Sequence, residues 1–482
     1  MLARLVQVQL VAGKALLFAL LLIVLLMQPA ATATPLETPL ETPLETPVET
    51  PGPESTDWIR TTVDATPGAG IARSGEVISP SVSLPAVYKA ASLSVPAVYK
   101  LRSFMPPSPP PPSPTFIDLG TLGGPSSTAM DVNNRGQVVG YSDVSGDDDS
   151  DKRHAFLWQK GKIKDLGTLG GRNSTALHIN ELGQAAGDSE YGVGEDRHAF
   201  FWVNGRMVDI GTLGGSWSRA VDLNDMGQVV GVSSTAAGQT HCFLWAAGVM
   251  TDLGTLGGGA CNLMDINNRG QIVGDSTPAG ATNDYVVHAF LWDNGVMTDL
   301  TPDLGPDGAS CAIAVNELSQ TIGFRGGTSN YCFGEGATLW ADGTVIDLSY
   351  GGQGFRRMDA INDRGQVVGY GNRQCNCQPG GSPYCCSDDA LLWDSGVPIN
   401  LGVQEWRWSN YTTLLNNRRQ IVLGLTFWSG FPLYLWQDGA LIPFEVPGGT
   451  FVSAKAINDA GAVVGSGDHA LLWQIVSAAE QP

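Results

Sequence analysis

One unit recurs along residues 115–482, and a chain built from copies of one short unit must bury its apolar surface by stacking those copies. The first copy reads STAMDVNNRGQVVGYS, then a variable stretch, then HAFLWQKGKIKDLGTLGG. Its asparagine returns at Asn133, Asn180, Asn224, Asn267, Asn316, Asn362, Asn416 and Asn458. The tryptophan that ends HAFLW returns at Trp158, Trp202, Trp245, Trp292, Trp340, Trp393, Trp436 and Trp473. These positions define eight units, of which the fifth, seventh and eighth are degenerate.

Each unit carries two hairpin signals. Asn133-Asn134-Arg135-Gly136 separates TAMDV from QVVGY, and Gln159-Lys160-Gly161 separates HAFLW from KIKDL. A glycine after two turn residues predicts a type I turn with a left-handed bulge in both. Four short strands per unit follow, rich in Val, Ile, Phe, Leu and Trp with little polar alternation, as sheets buried on both faces require. A period of roughly 40 to 50 residues holding four strands predicts an all-β fold, a β-propeller.

The ends of the array predict closure. The last unit stops at HALLW, 469–473, without a hairpin or a DLG strand, while an extra TFIDLG at 115–120 precedes the first unit. Completing the last sheet with residues 116–119 leaves no edge unpaired. The reading is one eight-bladed ring of four-stranded blades closed by the N-terminal strand, with seven blades as the alternative if a weak unit does not form.

DLGTLGG at 118–124 returns at 165–171 and 252–258, and as DIGTLGG at 209–215. A phosphate cradle would need GxxxxGK[ST] or GxGxxG between a strand and a helix, and neither spacing is present. The segment is therefore punctuation: DLG ends the outermost strand of one blade, and TLGG crosses to the innermost strand of the next. Its glycines permit positive φ and close backbone approach.

The N-terminal part is of another kind. Arg4 and Lys14 precede an apolar run at 15–27, and the small-residue site Ala31-Thr32-Ala33 follows. That layout predicts a secretory signal peptide over 1–33. An uncleaved anchor ranks second, because a helix extended back to Leu5 would carry Gln7, Gln9 and Lys14. Residues 34–114 read as a disordered Pro/Thr/Glu-rich tether, opening TPLETPLETPLETPVETP and ending PPSPPPPSP. The formal charge of -20, from 27 basic and 47 acidic residues, opposes the phosphate neutralisation that nucleic-acid affinity needs. The expectation is a monomer, secreted or in the cell envelope, with no nucleic-acid partner and no membrane span once the leader is removed.

The motif set HAFLW, IN..GQVVG and DLGTLGG resembles the extracellular repeat family named for its HAF triplet. The resemblance covers residues 116–473 and implies secretion and a propeller-like array; it implies no agreed biochemical activity. Several copies depart from the pattern: GATLW at 336–340, DALLW at 389–393 and LYLW at 433–436.

Five of the six histidines, His154, His198, His241, His288 and His469, open the third strand of their units. Equivalent positions on successive blades lie too far apart to share a metal ion, so the expected role is a hydrogen bond within the blade. The partners expected are Asp131, Asp222 and Asp265, each two residues before a repeated asparagine. The repeated tryptophans read as wedges between blades. Trp217, Trp406, Trp408 and Trp428 do not repeat and fall in variable loops, where clustered aromatics suit ligand stacking. The loops between second and third strands and the crossings are expected on one face. Asp147, Asp149 and Asp151, in DVSGDDDSD, offer hard oxygen ligands for Ca²⁺, although the string lacks EF-hand spacing; the competing reading is a solvated acidic loop. No other cofactor is required by any motif.

Eight cysteines fit an oxidising compartment. Cys375, Cys377, Cys385 and Cys386 share one long loop, where two disulfides are favoured over a four-thiolate zinc site. Cys311 and Cys332 are candidates for a bridge within the fifth unit, leaving Cys242 and Cys261. There is no HExxH or GxSxG motif, and no catalytic residue is nominated. The functional expectation is a secreted, non-catalytic binding propeller that presents variable loops to glycan or protein. The alternatives are a polysaccharide hydrolase or lyase using loop carboxylates, and a structural spacer.

Overall fold

The computed structural model describes residues 113–145, 152–194, 196–327, 336–349, 354–375, 386–406, 412–424, 433–445 and 452–475. The leader over 1–33 and the tether up to 112 lie outside them. Among the described residues, 32 strands form antiparallel four-stranded groups, and two of the groups are joined into one sheet by a bridge between Thr240 and Ala260. In the first group the strands run Gly123–Val132, Val138–Val144, Arg153–Gln159 and Lys162–Gly167, each paired with its successor. Seven further groups follow. The fold is an all-β propeller; a 3₁₀ turn at Pro302–Leu304 is a small addition.

The last group is completed from the other end of the chain. Ser453–Ile457, Ala462–Ser466 and Ala470–Gln474 pair in order, and Phe116–Asp118 then adds to the final strand. The register sets Phe116 against Trp473, Ile117 against Leu472 and Asp118 against Leu471. The Leu119 amide extends the ladder by donating to the Ala470 carbonyl at 3.0 Å. The borrowed strand read from the ends of the repeat array is thus in place.

The core lies in the seams between sheets. One seam packs Val139, Ala155, Leu157 and Leu166 of the first sheet against Ala176, Ile179, Phe200 and Trp202 of the second. The closing seam packs Leu119, Val464 and Leu472 of the last sheet against Val132, Phe156 and Trp158 of the first. Burial of both sheet faces explains why HAFLW lacks polar alternation: in Arg153–Gln159 the four residues from Ala155 to Trp158 are all buried. The wedge role expected for the tryptophans holds for seven of the eight, from Trp158 at 8 % exposure to Trp473 at 0 %, while Trp292 is only partly buried against its seam.

The two hairpins of each unit differ, which corrects the expectation of one turn type. Gly136 has φ +70° and donates from its amide to the Asn133 carbonyl at 3.0 Å, as a type I turn with a left-handed fourth residue requires. In the second hairpin both Lys160 (φ +50°) and Gly161 (φ +77°) are left-handed, and Gln159 pairs directly with Lys162. That is a two-residue type I′ turn, whose twist matches the right-handed twist of its strands. It explains why Asn204, Asn294, Asp342 and Asp438 stand at the Lys160 position, since Asn and Asp tolerate left-handed backbone best after glycine.

Candidate functional site

The crossings and the loops between second and third strands emerge at one end of the ring, as expected. The amides of Ser145, Gly192 and Ala279, each just past a second strand, donate to the carbonyls of Leu122, Leu169 and Leu256 in the crossings. Three glycines of the DLGTLGG crossing at 118–124 have separate reasons. Gly120 and Gly123 adopt φ of +75° and +101°. Gly124 has an ordinary φ, but a Cβ there would sit 2.6 Å from the backbone of Asp143.

The histidines do bind an aspartate within their own sheet, but not the aspartate expected. His154, His198, His241 and His288 place Nδ1 2.8 to 3.0 Å from Asp165, Asp209, Asp252 and Asp299, the aspartates of the DLG segments and their equivalent. The reason is register: the third strand runs beside the fourth at the loop end, whereas Asp131 lies near the opposite end of the first strand. In Asp165 the hydrogen bonds from His154 and from the Gly167 amide outweigh the upward push of burial and hold the carboxyl below its usual range. Asp131 and Asp222 instead accept from the Ile179 and Ile266 amides of the next sheet, at 2.8 and 3.2 Å, and Asp265 accepts from Val315 at 2.8 Å. Burial pushes Asp265 well above the usual carboxylate range, and the neighbouring Asp222 adds to that.

Serines carry the sheet-to-sheet links that the sequence reading missed. Ser174 Oγ accepts from the Ala155 amide at 2.8 Å and donates to the Gly167 carbonyl at 2.6 Å; Ser218 repeats both bonds with Ala199 and Gly211. At the seam between the third and fourth sheets the equivalents of Ala199 and Ser218 are Cys242 and Cys261, and a disulfide joins them. The two cysteines left unassigned from sequence therefore replace a hydrogen bond by a covalent link.

Beside that disulfide opens a cavity of about 380 Å³ on the loop end, lined by Val232, Thr240, Ala260, Cys261, Asn262, Met264, Asp275, Asp284, Tyr285 and Val287. Asp275 lies midway along Ile272–Pro278, the second strand of the fourth sheet, and is 6 % exposed, while Tyr285 on the following loop is 71 % exposed. Burial raises the Asp275 carboxyl to about 6, against the small opposing effect of the Asn262 amide 3.4 Å away. The arrangement offers a shielded acidic group under an apolar wall and an aromatic rim. Its sequence signal is slight: Asp275 interrupts the apolar run IVGDS, and TPAGATNDYVV is a long variable loop.

The other candidates are not gathered there. Trp217 is half-buried at the loop end of Gly214–Leu223, its amide donating to Ser234 Oγ at 3.1 Å. Trp406 ends Val397–Trp406, a strand of the sixth group, where its backbone faces Ser387. Trp408 and Trp428 lie outside the described residues, as do Asp147, Asp149 and Asp151. Cys311 is disulfide-bonded, Cys375 and Cys386 face each other in a ladder, and Cys332, Cys377 and Cys385 lie outside the described residues. Among the described residues, no three acidic, histidine or cysteine side chains are placed to hold a metal ion, and no helix is long and apolar enough to cross a membrane.

The opposite end of the ring is a closed polar circuit. Nδ2 of each repeated asparagine donates to the backbone carbonyl of the next, from Asn133 to Asn180 at 2.9 Å and onward until Asn458 returns to Asn133 at 2.7 Å. The residues that follow them, among them Asn134, Glu181, Glu317, Asp363, Asn417 and Asp459, line a cavity of about 320 Å³. Their side chains already accept from one another's backbones, Glu181 from the Asn134 amide and Asp459 from the Asn417 amide, which makes this end a fastening.

No protein-family model matches the chain, and no curated protein matches it. Solved structures similar to it are β-propellers or contain them. The β-propeller domain of the Trilobed protease from Pyrococcus furiosus is 12 % identical, covering 74 % of this chain and 100 % of that one, at a TM-score of 0.38. YCF48, solved bound to D1 peptide, is 12 % identical over 77 % of this chain and 99 % of that one, at 0.40. Acylaminoacyl peptidase of Pyrococcus horikoshii is 12 % identical over 64 % of this chain, at 0.35, and the chain spans 50 % of its length.

Proposed function

We propose that this chain is a secreted, non-catalytic binding propeller of eight blades, of the HAF-repeat kind, that takes a protein or glycan ligand on its loop end. The observation that carries this reading is the cavity beside Cys242–Cys261, where the buried Asp275, the rim residue Asp284 and the exposed Tyr285 converge on one opening. Concave sites with an apolar wall and a few convergent polar groups are where ligands bind. The polar end is self-satisfied, so it has less to offer a partner. The full chain would be applied to glycan and peptide arrays beside the variants Tyr285→Ala, Trp406→Ala and Trp408→Ala, with Lys160→Glu on a hairpin of the polar end as control. Binding that weakens with the loop-end substitutions and survives the control is expected; binding indifferent to all of them, or none at all, overturns the reading.

A second reading, hydrolysis of a polysaccharide, draws on Asp275 and Asp284 lining the same cavity, because glycoside cleavage uses two carboxyl groups. Turnover on polysaccharides that disappears in both Asp275→Asn and Asp284→Asn would put it first.

A further inference from the structure

Asp275 has an internal counterpart in Asp188. Each stands at the same register position on a second strand, Asp188 opposite Thr175 and Asp275 opposite Asn262, and they are 7 % and 6 % exposed. Asp188 is fully employed: its Oδ1 accepts from the Ala220 amide of the next sheet at 2.9 Å, and Arg219 Nε lies 3.5 Å from Oδ2. Asp275 has neither. Among the described residues its one hydrogen bond comes from Asn262 Nδ2 to Oδ2 at 3.4 Å. Among the described residues no cation pairs with it, and no lysine, arginine or histidine lines the cavity. A carboxyl group removed from water without a cation or strong donors is costly. The fold satisfies that demand two sheets earlier and leaves it open here, in a cavity that a ligand can enter.

The lining narrows what can enter. Val232, Ala260, Met264 and Val287 give the wall an apolar character, Asp275 supplies the acidic group, and Asp284 and Tyr285 stand on the adjoining loop. A cation on an apolar stem matches this order of surfaces, since a lysine stem packs on hydrocarbon while its ammonium seeks the carboxylate. Tyr285 adds an aromatic face for the same charge. Arginine fits less well: its planar fork is best used bidentately, and one Asp275 oxygen is already engaged by Asn262. An aminosugar would set several ring hydroxyls against Val232, Ala260, Met264 and Val287, which offer them no hydrogen-bond partner. The net charge of -20 draws in a basic partner.

We infer that the cavity beside Cys242–Cys261 receives a lysine side chain of a protein ligand, with Asp275 as its counter-ion. The inference rests on the binding reading above and gives it a ligand class.

The test uses the full chain and four probes in NMR titration: acetyl-Gly-Lys-Gly-amide, its norleucine and arginine analogues, and glucosamine. The lysine peptide is expected to bind at least tenfold tighter than the norleucine peptide and tighter than the other two. Asp275→Asn should abolish that preference, and Asp188→Asn, in the same register two sheets away, should keep it. Tyr285→Ala, on an exposed loop where folding is not at stake, should weaken the lysine peptide severalfold. Equal binding of lysine and norleucine peptides, preference for glucosamine or arginine, no binding, or a preference that survives Asp275→Asn would each overturn the inference. The array experiment separates the two levels. A ligand captured through the loop end without a lysine in contact removes only the lysine assignment, whereas no capture sensitive to loop-end substitution removes the binding reading with it.

Discussion

His469 Nδ1 lies 2.9 Å from Asp118 Oδ2, although 351 residues separate them in the chain. The pair repeats across the closing strand the contact that His154 makes with Asp165 eleven residues away, so the ring is joined by the same chemistry that builds each sheet. Energetically, however, the pair is a minor fastener. Asp118 is 52 % exposed and His469 37 %, and ion pairs so accessible contribute about 0 to 1 kcal/mol. Leu119, 4 % exposed in the closing seam, carries more. Leu119→Ala is expected to cost about 2 to 4 kcal/mol in chemical denaturation, and Asp118→Ala less than about 1 kcal/mol. Equal costs would mean that the pair, and not the buried seam, holds the ring shut.

The asparagine circuit predicts a larger penalty for one polar residue than its size suggests. Asn180 donates to Gln184 Oε1 at 2.7 Å and to the Asn224 carbonyl at 3.0 Å, and its Oδ1 accepts from the Leu182 and Gln184 amides at 3.1 and 2.9 Å. It is 4 % exposed, so Asn180→Ala strands several groups away from water at about 1 to 3 kcal/mol each. A net loss of about 3 kcal/mol is expected in the denaturation midpoint. Asn134→Ala, at an exposed position beside it, should cost well under half of that.

How much of this was legible beforehand divides by type of interaction. Closure, strand number per unit and the tryptophan seams could be read because apolar burial and turn chemistry leave a local pattern that eight copies repeat. The partner of His154 was misread because two aspartates recur at fixed spacing, and only the strand register decides that Asp165 is the one in reach. The Cys242–Cys261 link became visible once Ser218 and Ala199 showed which two positions meet across a seam. Asp275 was not legible, because a single aspartate in an apolar run gives no sign that its counterpart Asp188 is satisfied and it is not.

Asp275 should also leave a trace in stability. Its carboxyl is raised from 3.8 to about 6, so the folded chain holds a proton there that the unfolded chain releases between those values. The folded state is therefore favoured below about pH 4, and that advantage is lost as pH rises through about 6. The loss is on the order of 3 kcal/mol, since one pKa unit corresponds to about 1.36 kcal/mol. Asp275→Asn, which cannot ionise, should raise the melting temperature at pH 7.5 and leave it nearly unchanged at pH 4. A variant destabilised equally at both values would show that the site needs the carboxyl group whether or not it is ionised, and that its burial as a charge carries no pH-dependent cost.

The disulfide allows a substitution designed from the protein's own repeats. Cys242 and Cys261 enclose a sequence separation of 19, for which loop-closure entropy gives about 3 kcal/mol of stabilisation. Removing it with Cys242→Ala and Cys261→Ala loses that contribution outright. Cys242→Ala with Cys261→Ser restores the residues found at the Ala155–Ser174 and Ala199–Ser218 seams, where the serine hydroxyl accepts from the alanine amide at 2.8 and 2.9 Å. The Ala/Ser protein should therefore recover about 1 kcal/mol relative to the Ala/Ala protein, the net worth of one such hydrogen bond. Both should be insensitive to reductant at this seam, which mass spectrometry of the 242–261 linkage checks in the parent chain. If Ala/Ser and Ala/Ala unfold at the same denaturant concentration, the third and fourth sheets do not meet as the other seams do, and the equivalence of serine and cysteine at position 261 fails.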